Sequence, residues 1–276
     1  MTASALPLLF LHANGYPAGV YRLFLDALAA RHPVCAIETI GAEGTHHPDH
    51  GWRRMRAQVS ARLDALPAPR AALVGHSMGG YLAAMAAVQR PDRVAAVVLI
   101  DAPMVLGWRA SLVSAAKVSG MTWRIGPAPV AARRRQHWAS LEEARAHLGA
   151  KPFVQRWAPG VLDDFLRAAL RPLPGGSGVT LTIPRDVERS VYATLAHRDA
   201  FRAVCALRRR GVPVGFIAGR DSDETRLAGR GGNRRFWGAD WQELPTGHLV
   251  PMEAPHACAQ AVLDQLARCH ADVIER

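Results

Sequence analysis

Ser77 stands at the centre of Gly75-His76-Ser77-Met78-Gly79, with Gly80 immediately after. A small apolar run at 71–74 precedes it, and an alanine-rich stretch with helical spacing, 78–89, follows. A strand that turns at once into a helix holds the residue at the bend in strained backbone geometry. Glycines two positions to either side are then required, because a Cβ there would collide with neighbouring backbone. The bend projects the serine hydroxyl from the C-terminal edge of a sheet, beside a helix N-terminus that favours developing negative charge. Nucleophilic catalysis needs such a setting. A Gly-x-Ser-x-Gly string alone recurs by chance in a chain with 24 glycines, so its weight comes from the strand before it and the helix after it. Other reactive side chains also follow apolar runs. His12 follows 8–11, Asp101 follows 94–100, and Asp221, Asp223 and Glu224 follow 212–218, while His248 lies in Gly247-His248-Leu249.

The elements that must position these residues can be read from the spacing of apolar positions. Short buried-strand runs lie at 8–11, 34–37, 71–75, 94–100 and 212–218. Between them Val20, Phe24, Leu25 and Leu28 keep a helical period, and 52–66 reads as a helix with an arginine-rich face, closed by Pro67 and Pro69. Strands of four to seven apolar residues separated by helices indicate an α/β fold, a mainly parallel sheet with helices on both faces. The alternation holds over 1–101 and 191–276, which form the expected core. It stops over 102–190, where Trp108, Trp123, Trp138 and Trp157 lie among helical patterns and Pro-Gly breaks. That segment reads as a helical cap inserted in the core, with 172–178 as a loop between its two parts.

Four segments together resemble the α/β-hydrolase superfamily, in its serine esterase and lipase-like form with an inserted cap. His12-Ala13-Asn14-Gly15 is similar to its His-Gly oxyanion loop, and Gly75-His76-Ser77-Met78-Gly79 matches its nucleophile elbow. Gly219 with Asp221 and Asp223 follows a late strand where the acid often lies. Gly247-His248-Leu249-Val250-Pro251-Met252-Glu253-Ala254-Pro255 resembles the segment carrying the catalytic histidine. The order Ser, acid, His is also this superfamily's order. The resemblance implies Ser77 as nucleophile and His248 as general base, with the backbone N–H groups of Asn14 and Met78 as oxyanion hole. Ala13 replaces the usual glycine, and His12 is expected to brace the loop rather than react. The acid stays open. Its usual position is occupied by Ser222, with Asp221 and Asp223 to either side and Glu224 beyond, while some members carry the acid after the earlier strand, where Asp101 stands. The chain opens almost at the oxyanion-loop strand, so the family's first two strands are expected to be missing or replaced, leaving about six.

The resemblance implies a carboxylesterase-like serine hydrolase that cleaves an ester or related carbonyl bond of a small molecule through an acyl-enzyme, with no metal or organic cofactor. Ser77 excludes the haloalkane dehalogenases and epoxide hydrolases of this fold, which need an Asp nucleophile. The cap tryptophans suggest an apolar substrate. Arg133, Arg134 and Arg135, with Arg109 and Arg124, are read as a solvated basic face. If they bound a substrate carboxylate instead, the alternative is a carbon–carbon bond hydrolase of the meta-cleavage type. A non-catalytic small-ligand-binding protein is the remaining alternative.

Composition closes off other classes. Hydrophobic residues make up 49% and charged residues 21% of 276, ordinary for a globular protein and unlike a disordered chain. No apolar run approaches the roughly 20 residues of a membrane span. The N-terminus lacks a basic region before its apolar stretch, so it reads as a strand rather than a signal peptide. The formal charge of +11 raises a nucleic-acid partner, but only Lys117 and Lys151 are lysines among 34 basic residues. Arginine spread along the whole chain, without a recognition motif, argues against that partner. Cys35, Cys205, Cys258 and Cys269 lie far apart, without metal or disulfide spacing, and read as reduced, buried thiols of a cytoplasmic protein. A homodimer is compatible with the sequence.

Overall fold

The computed structural model describes residues 5–42 and 44–274, with side chains described up to residue 269. Its strands are β1 (Leu8–Leu11), β2 (Val34–Ala36), β3 (Ala71–His76), β4 (Val94–Ile100), β5 (His137–Trp138), β6 (Leu170–Pro172), β7 (Val179–Leu181), β8 (Val214–Gly219) and β9 (Trp241–Leu244). Six of them form one sheet in the order β2-β1-β3-β4-β8-β9, and every pairing in it is parallel.

Alternate side chains along these strands enter two separate cores. Leu9, Leu11, Leu73, Val97, Leu99 and Phe216 pack on one face, and Leu8, Phe10, Val74, Val98, Ile100 and Ile217 on the other. Both faces are dry, which is why the strands read as unbroken apolar runs rather than as alternation. Each such side chain contributes about 1.5–3 kcal/mol through burial. The first face is covered by the helices Arg53–Asp64, Met78–Gln89 and His197–Arg209, the second by Arg22–Ala29 and Pro255–Ile274. Met78–Gln89 lies between the sheet and both of its neighbours and is buried almost all round. Its alanines allow that close approach on every side.

The sixth strand, β9, carries no long apolar run. Trp-Gln-Glu-Leu is an edge strand, half-buried throughout, so it lacks the two-sided signal of the central strands. The segment 102–190, expected to be helical, is mixed. It holds the helices Gly107–Val118, Pro127–Arg133, Leu141–Gly149 and Val161–Ala168 together with an antiparallel sheet in the order β5-β7-β6. The polar tract at 172–178 is the turn of the β6–β7 hairpin.

Chain order fixes where a ligand can sit. β1 is followed by β2 at the edge, and β3 then returns on the other side of β1, so the strand order reverses between β1 and β3. Crevices form at the carboxyl ends of strands at such a switch point. The register sets Leu11 beside Gly75, Gly75 beside Leu99, and Ile100 beside Ile217. The residues just beyond these strand ends therefore meet along one edge.

Candidate active site

Ser77 adopts φ 53° and ψ −115°, a conformation that L residues rarely take. The glycines around it are explained by contact. A Cβ on Gly75 would overlap the backbone of Gly79, and one on Gly79 would overlap the carbonyl of Leu11 in β1. The Ser77 N–H donates to the Ile100 carbonyl at 2.9 Å, which anchors the bend to β4. Asp101 is also strained, at φ 39°, and its N–H donates to the Ile217 carbonyl at 2.7 Å. Strain of this kind persists only where surrounding structure over-determines it, and it concentrates at functional positions.

The Ser77 hydroxyl lies 3.0 Å from His248 Nε2, and His248 Nδ1 lies 2.7 Å from Asp101 Oδ2. A carboxylate only accepts, so Nδ1 carries the proton and Nε2 is left free to accept from Ser77. Asp101 is fully buried, and its second oxygen is also engaged. Gly219 N–H and Thr225 Oγ1–H donate to Oδ1, each at 2.9 Å, while Ser222 Oγ–H shares Oδ2 with the imidazole. Ser222 in turn accepts from the Thr225 N–H at 3.1 Å and so caps the helix Asp223–Ala228. Burial alone would lower the His248 pKa. The hydrogen bond and charge of Asp101 outweigh burial, Glu224 and Glu253 add to them, and the net shift is upward.

The structure separates the four carboxylates left open by the sequence. Asp221 points outward, half-exposed, and pairs with Arg220 at 3.6 Å; among the described residues it makes no ion pair with His248. Its backbone explains this, because the Asp221 N–H is tied to the Thr246 carbonyl and the side chain turns to the cleft mouth. Asp223 pairs with Arg226 at 2.8 Å. Glu224 comes within 3.6 Å of His248 Nδ1 but from a half-exposed position.

A cleft of about 480 Å³ opens over Ser77 and His248. Its apolar walls come from Tyr16, Tyr192, Phe153 and Leu249. The four tryptophans of 102–190 do not line it. Trp138 and Trp157 are packed into the second core, and Trp108 and Trp123 face outward. Asp221, Asp223, Glu224 and Glu253 line the mouth together with Arg156; Asp221 and Asp223 are paired with Arg220 and Arg226, and Glu253 holds Arg156 at 2.8 Å. Arg134 is not solvated; it forms a largely buried pair with Glu188 at 2.8 Å. Arg135 pairs with Glu143, and Arg133 and Arg124 are exposed.

Comparison with known proteins adds the family. The model of the alpha/beta hydrolase family matches residues 8–261. This chain belongs to that family. Among curated proteins, a 1-acylglycerol-3-phosphate O-acyltransferase of Arabidopsis thaliana is 27% identical over 204 residues, covering 68% of this chain and 45% of the plant protein. A (lyso)-N-acylphosphatidylethanolamine lipase of Homo sapiens is 27% identical over 101 residues, 34% of this chain and 30% of that protein. The chain thus spans less than half the length of these relatives. Among solved structures, E-2-(acetamidomethylene)succinate hydrolase superposes with a TM-score of 0.68 at 18% identity, covering 96% of this chain and 92% of its own. The thioesterase domain from the curacin biosynthetic pathway gives 0.69 at 18%, covering 94% and 91%.

This α/β-hydrolase also contains a buried polar chain that the sequence did not suggest. The Ala13 N–H donates to Tyr21 Oη at 2.9 Å, and Tyr21 lies 2.8 Å from His76 Nδ1. His76 Nε2 meets the His248 carbonyl at 2.9 Å. A carbonyl cannot donate, so Nε2 carries the hydrogen and Nδ1 accepts from tyrosine. Burial, with the nearby His248 adding to it, lowers the His76 pKa to about 3, so His76 stays neutral. His12 is neutral for the same reason, lowered to about 4 by burial. It braces its loop by accepting the Ile40 N–H at 2.7 Å and by contacting the Ala13 carbonyl at 2.7 Å. The Asn14 side chain donates to the Glu188 carbonyl at 2.9 Å in the helix Arg185–Ala193. Glu253 accepts the Gly247 N–H at 2.9 Å and steadies the loop bearing His248. Tyr21 and His76 carry no spacing signal of their own. Ser222 does, since a serine opening a helix is a common N-cap.

Proposed function

We propose that the chain is a serine hydrolase that cleaves an ester or related carbonyl bond of a small molecule through an acyl-enzyme on Ser77. The observation that carries this reading is the continuous hydrogen-bonded line from Ser77 through His248 to buried Asp101. His248 Nε2 takes the hydroxyl proton as the oxygen attacks the carbonyl, then returns it to the leaving group. Asp101 holds the imidazole in the required tautomer and stabilises imidazolium. Among the four candidate carboxylates it is the one bonded to His248 with its other oxygen also satisfied, so we assign it as the acid. The backbone N–H groups of Met78 and Asn14 serve as oxyanion donors. Met78 opens a helix, where N–H groups lack intrahelical partners, and Asn14 lines the cleft beside Ser77. Water then attacks the acyl-enzyme from the same base. Residues 102–190 act as the cap over this site, and the free thiols fit a reducing, cytoplasmic location.

The cleft supports a neutral substrate. Aromatic walls offer apolar contact, and Arg156, the cation that lines the cleft, is already held by Glu253, so an anionic group would meet no free partner there. This weakens the meta-cleavage alternative, whose substrate carboxylate needs a free cap arginine, because Arg134 and Arg156 are each already paired. The name of the Arabidopsis relative favours one variation, transfer of the acyl group to an alcohol rather than to water.

Intact-protein mass spectrometry after incubation with a small fluorophosphonate tests the reading without knowledge of the substrate. A single adduct on the wild type that is absent in Ser77→Ala is expected. No adduct on folded protein would sink the proposal and leave the ligand-binding alternative. A p-nitrophenyl ester series with and without an added alcohol then sizes the pocket and separates hydrolysis from transfer.

A further inference from the structure

The solvent face of the helix Gly107–Val118 is inverted in chemistry. Its exposed positions include Trp108, Ser111, Leu112, Ala115 and Val118, spaced along one side and without a single charge. A helix on a water-facing surface ordinarily turns its charged residues outward. Here Arg109 and Lys117 lie on the inward, half-buried side, where Lys117 Nζ donates to the Leu195 carbonyl at 2.8 Å. The apolar surface continues along the chain through Trp123, Ile125 and Val130, with Val118 91% and Val130 71% exposed. Large apolar side chains exposed in such continuity mark a contact surface.

The exposed charge that this segment itself carries is basic. Between Asp101 and Glu142 there is no acidic residue, and Arg124 and Arg133 are exposed, while Arg134 and Arg135 are paired with Glu188 and Glu143. Two guanidinium groups lie directly on the exposed indoles: Arg109 is 4.6 Å from the Trp108 ring centre and Arg189 is 5.2 Å from that of Trp123. Exposed tryptophan and aliphatic side chains with flanking arginines match the boundary between lipid headgroups and acyl chains, provided the headgroups are anionic. No helix among the described residues is long and apolar enough to cross a membrane.

We infer that the face formed by Trp108, Leu112, Val118, Trp123, Ile125 and Val130 docks this protein on the surface of a bilayer containing anionic phospholipid. The face adjoins the cleft through one helix. Thr122 Oγ1 donates to the Ala193 carbonyl at 2.9 Å, at the end of the helix whose Tyr192 lines the cleft. Docking at this face is independent of the chemistry assigned to Ser77.

Flotation of the full chain with vesicles tests the inference. The expected result is strong binding to phosphatidylcholine vesicles containing phosphatidylglycerol, weaker binding to phosphatidylcholine alone, and a loss of binding as salt is raised. The variant Trp108→Ser with Leu112→Ser, Val118→Ser and Ile125→Ser should bind at least roughly tenfold more weakly while hydrolysing a soluble ester unchanged. Arg124→Glu with Arg133→Glu should weaken binding to the anionic vesicles alone. Equal flotation of wild type and the serine variant would overturn the proposal, as would no flotation at all. Gel filtration showing a dimer that dissociates in the serine variant, without vesicle binding, would instead assign the face to a second copy of the chain.

Discussion

Replacing Asp101 by Asn separates this carboxylate from its neighbours in sequence, because the surroundings dictate how the amide must lie. At Oδ1 the Gly219 N–H and the Thr225 hydroxyl both donate, so that position must remain an oxygen. The Gly219 N–H cannot turn away, so the amide NH2 is forced into the Oδ2 position, 2.7 Å from His248 Nδ1, where the Ser222 hydroxyl turns from donor to acceptor. An NH2 group donates, so Nδ1 must give up its hydrogen and Nε2 must carry it. The imidazole then presents a hydrogen to Ser77, 3.0 Å away, where it needs a lone pair. Loss of the correct tautomer with retained geometry costs on the order of 10⁴-fold in kcat, or about 5 kcal/mol of transition-state stabilisation. The assay is kcat on a p-nitrophenyl ester, with circular dichroism to show that the fold is kept. Asp221→Asn and Asp223→Asn, measured in parallel, should change kcat by less than about threefold, since neither is bonded to the imidazole. A variant at Asp101 that keeps a tenth or more of wild-type kcat would refute the tautomer argument. A large loss at Asp221 would move the acid to the loop after β8.

Two further outcomes follow from the same network. The base must be neutral to act, so kcat/KM rises with pH through the His248 pKa, which is held above its ordinary 6.5. Glu224→Gln removes one of the charges raising it, so the acid limb should move to lower pH; the shift is modest because Glu224 is half-exposed, and it is read best at low salt. A limb that stays put or moves upward would refute this. Tyr21→Phe removes the hydroxyl between the Ala13 N–H and His76 Nδ1 and leaves both buried without a partner, at about 1–3 kcal/mol each. Urea unfolding should show the loss, and an unchanged midpoint would mean that the chain Ala13–Tyr21–His76 holds nothing.

Much of the fold was legible because the central strands are dry on both faces. Two-sided burial leaves no polar positions inside 8–11, 71–74 or 94–100, and such runs are hard to mistake. β9 escaped notice because an edge strand is wet on one side, and Trp-Gln-Glu-Leu carries no such run. Ser77 was legible from its glycines, which report contacts between β1, β3 and the helix after it. The contacts of Asp101 were not, because sequence gives the end of each strand but not the register that sets Ile100 beside Ile217 and brings Asp101 onto the Gly219 N–H. Ser222, in the place expected for the acid, spends its hydroxyl on Asp101 instead. The place of the four tryptophans was not legible for a related reason. Composition counts aromatic side chains without their direction, and packing turned Trp108, on a helix, outward and Trp138, on β5, inward.

The hydrogen bond from Asn14 to the Glu188 carbonyl ties the loop after β1 to the segment 102–190 and the helix that closes it. If the Asn14 N–H is an oxyanion donor, that tie makes seating of the upper segment and readiness of the lower site a single event. A change in the helix Arg185–Ala193 would therefore be felt at the loop after β1 through this one bond.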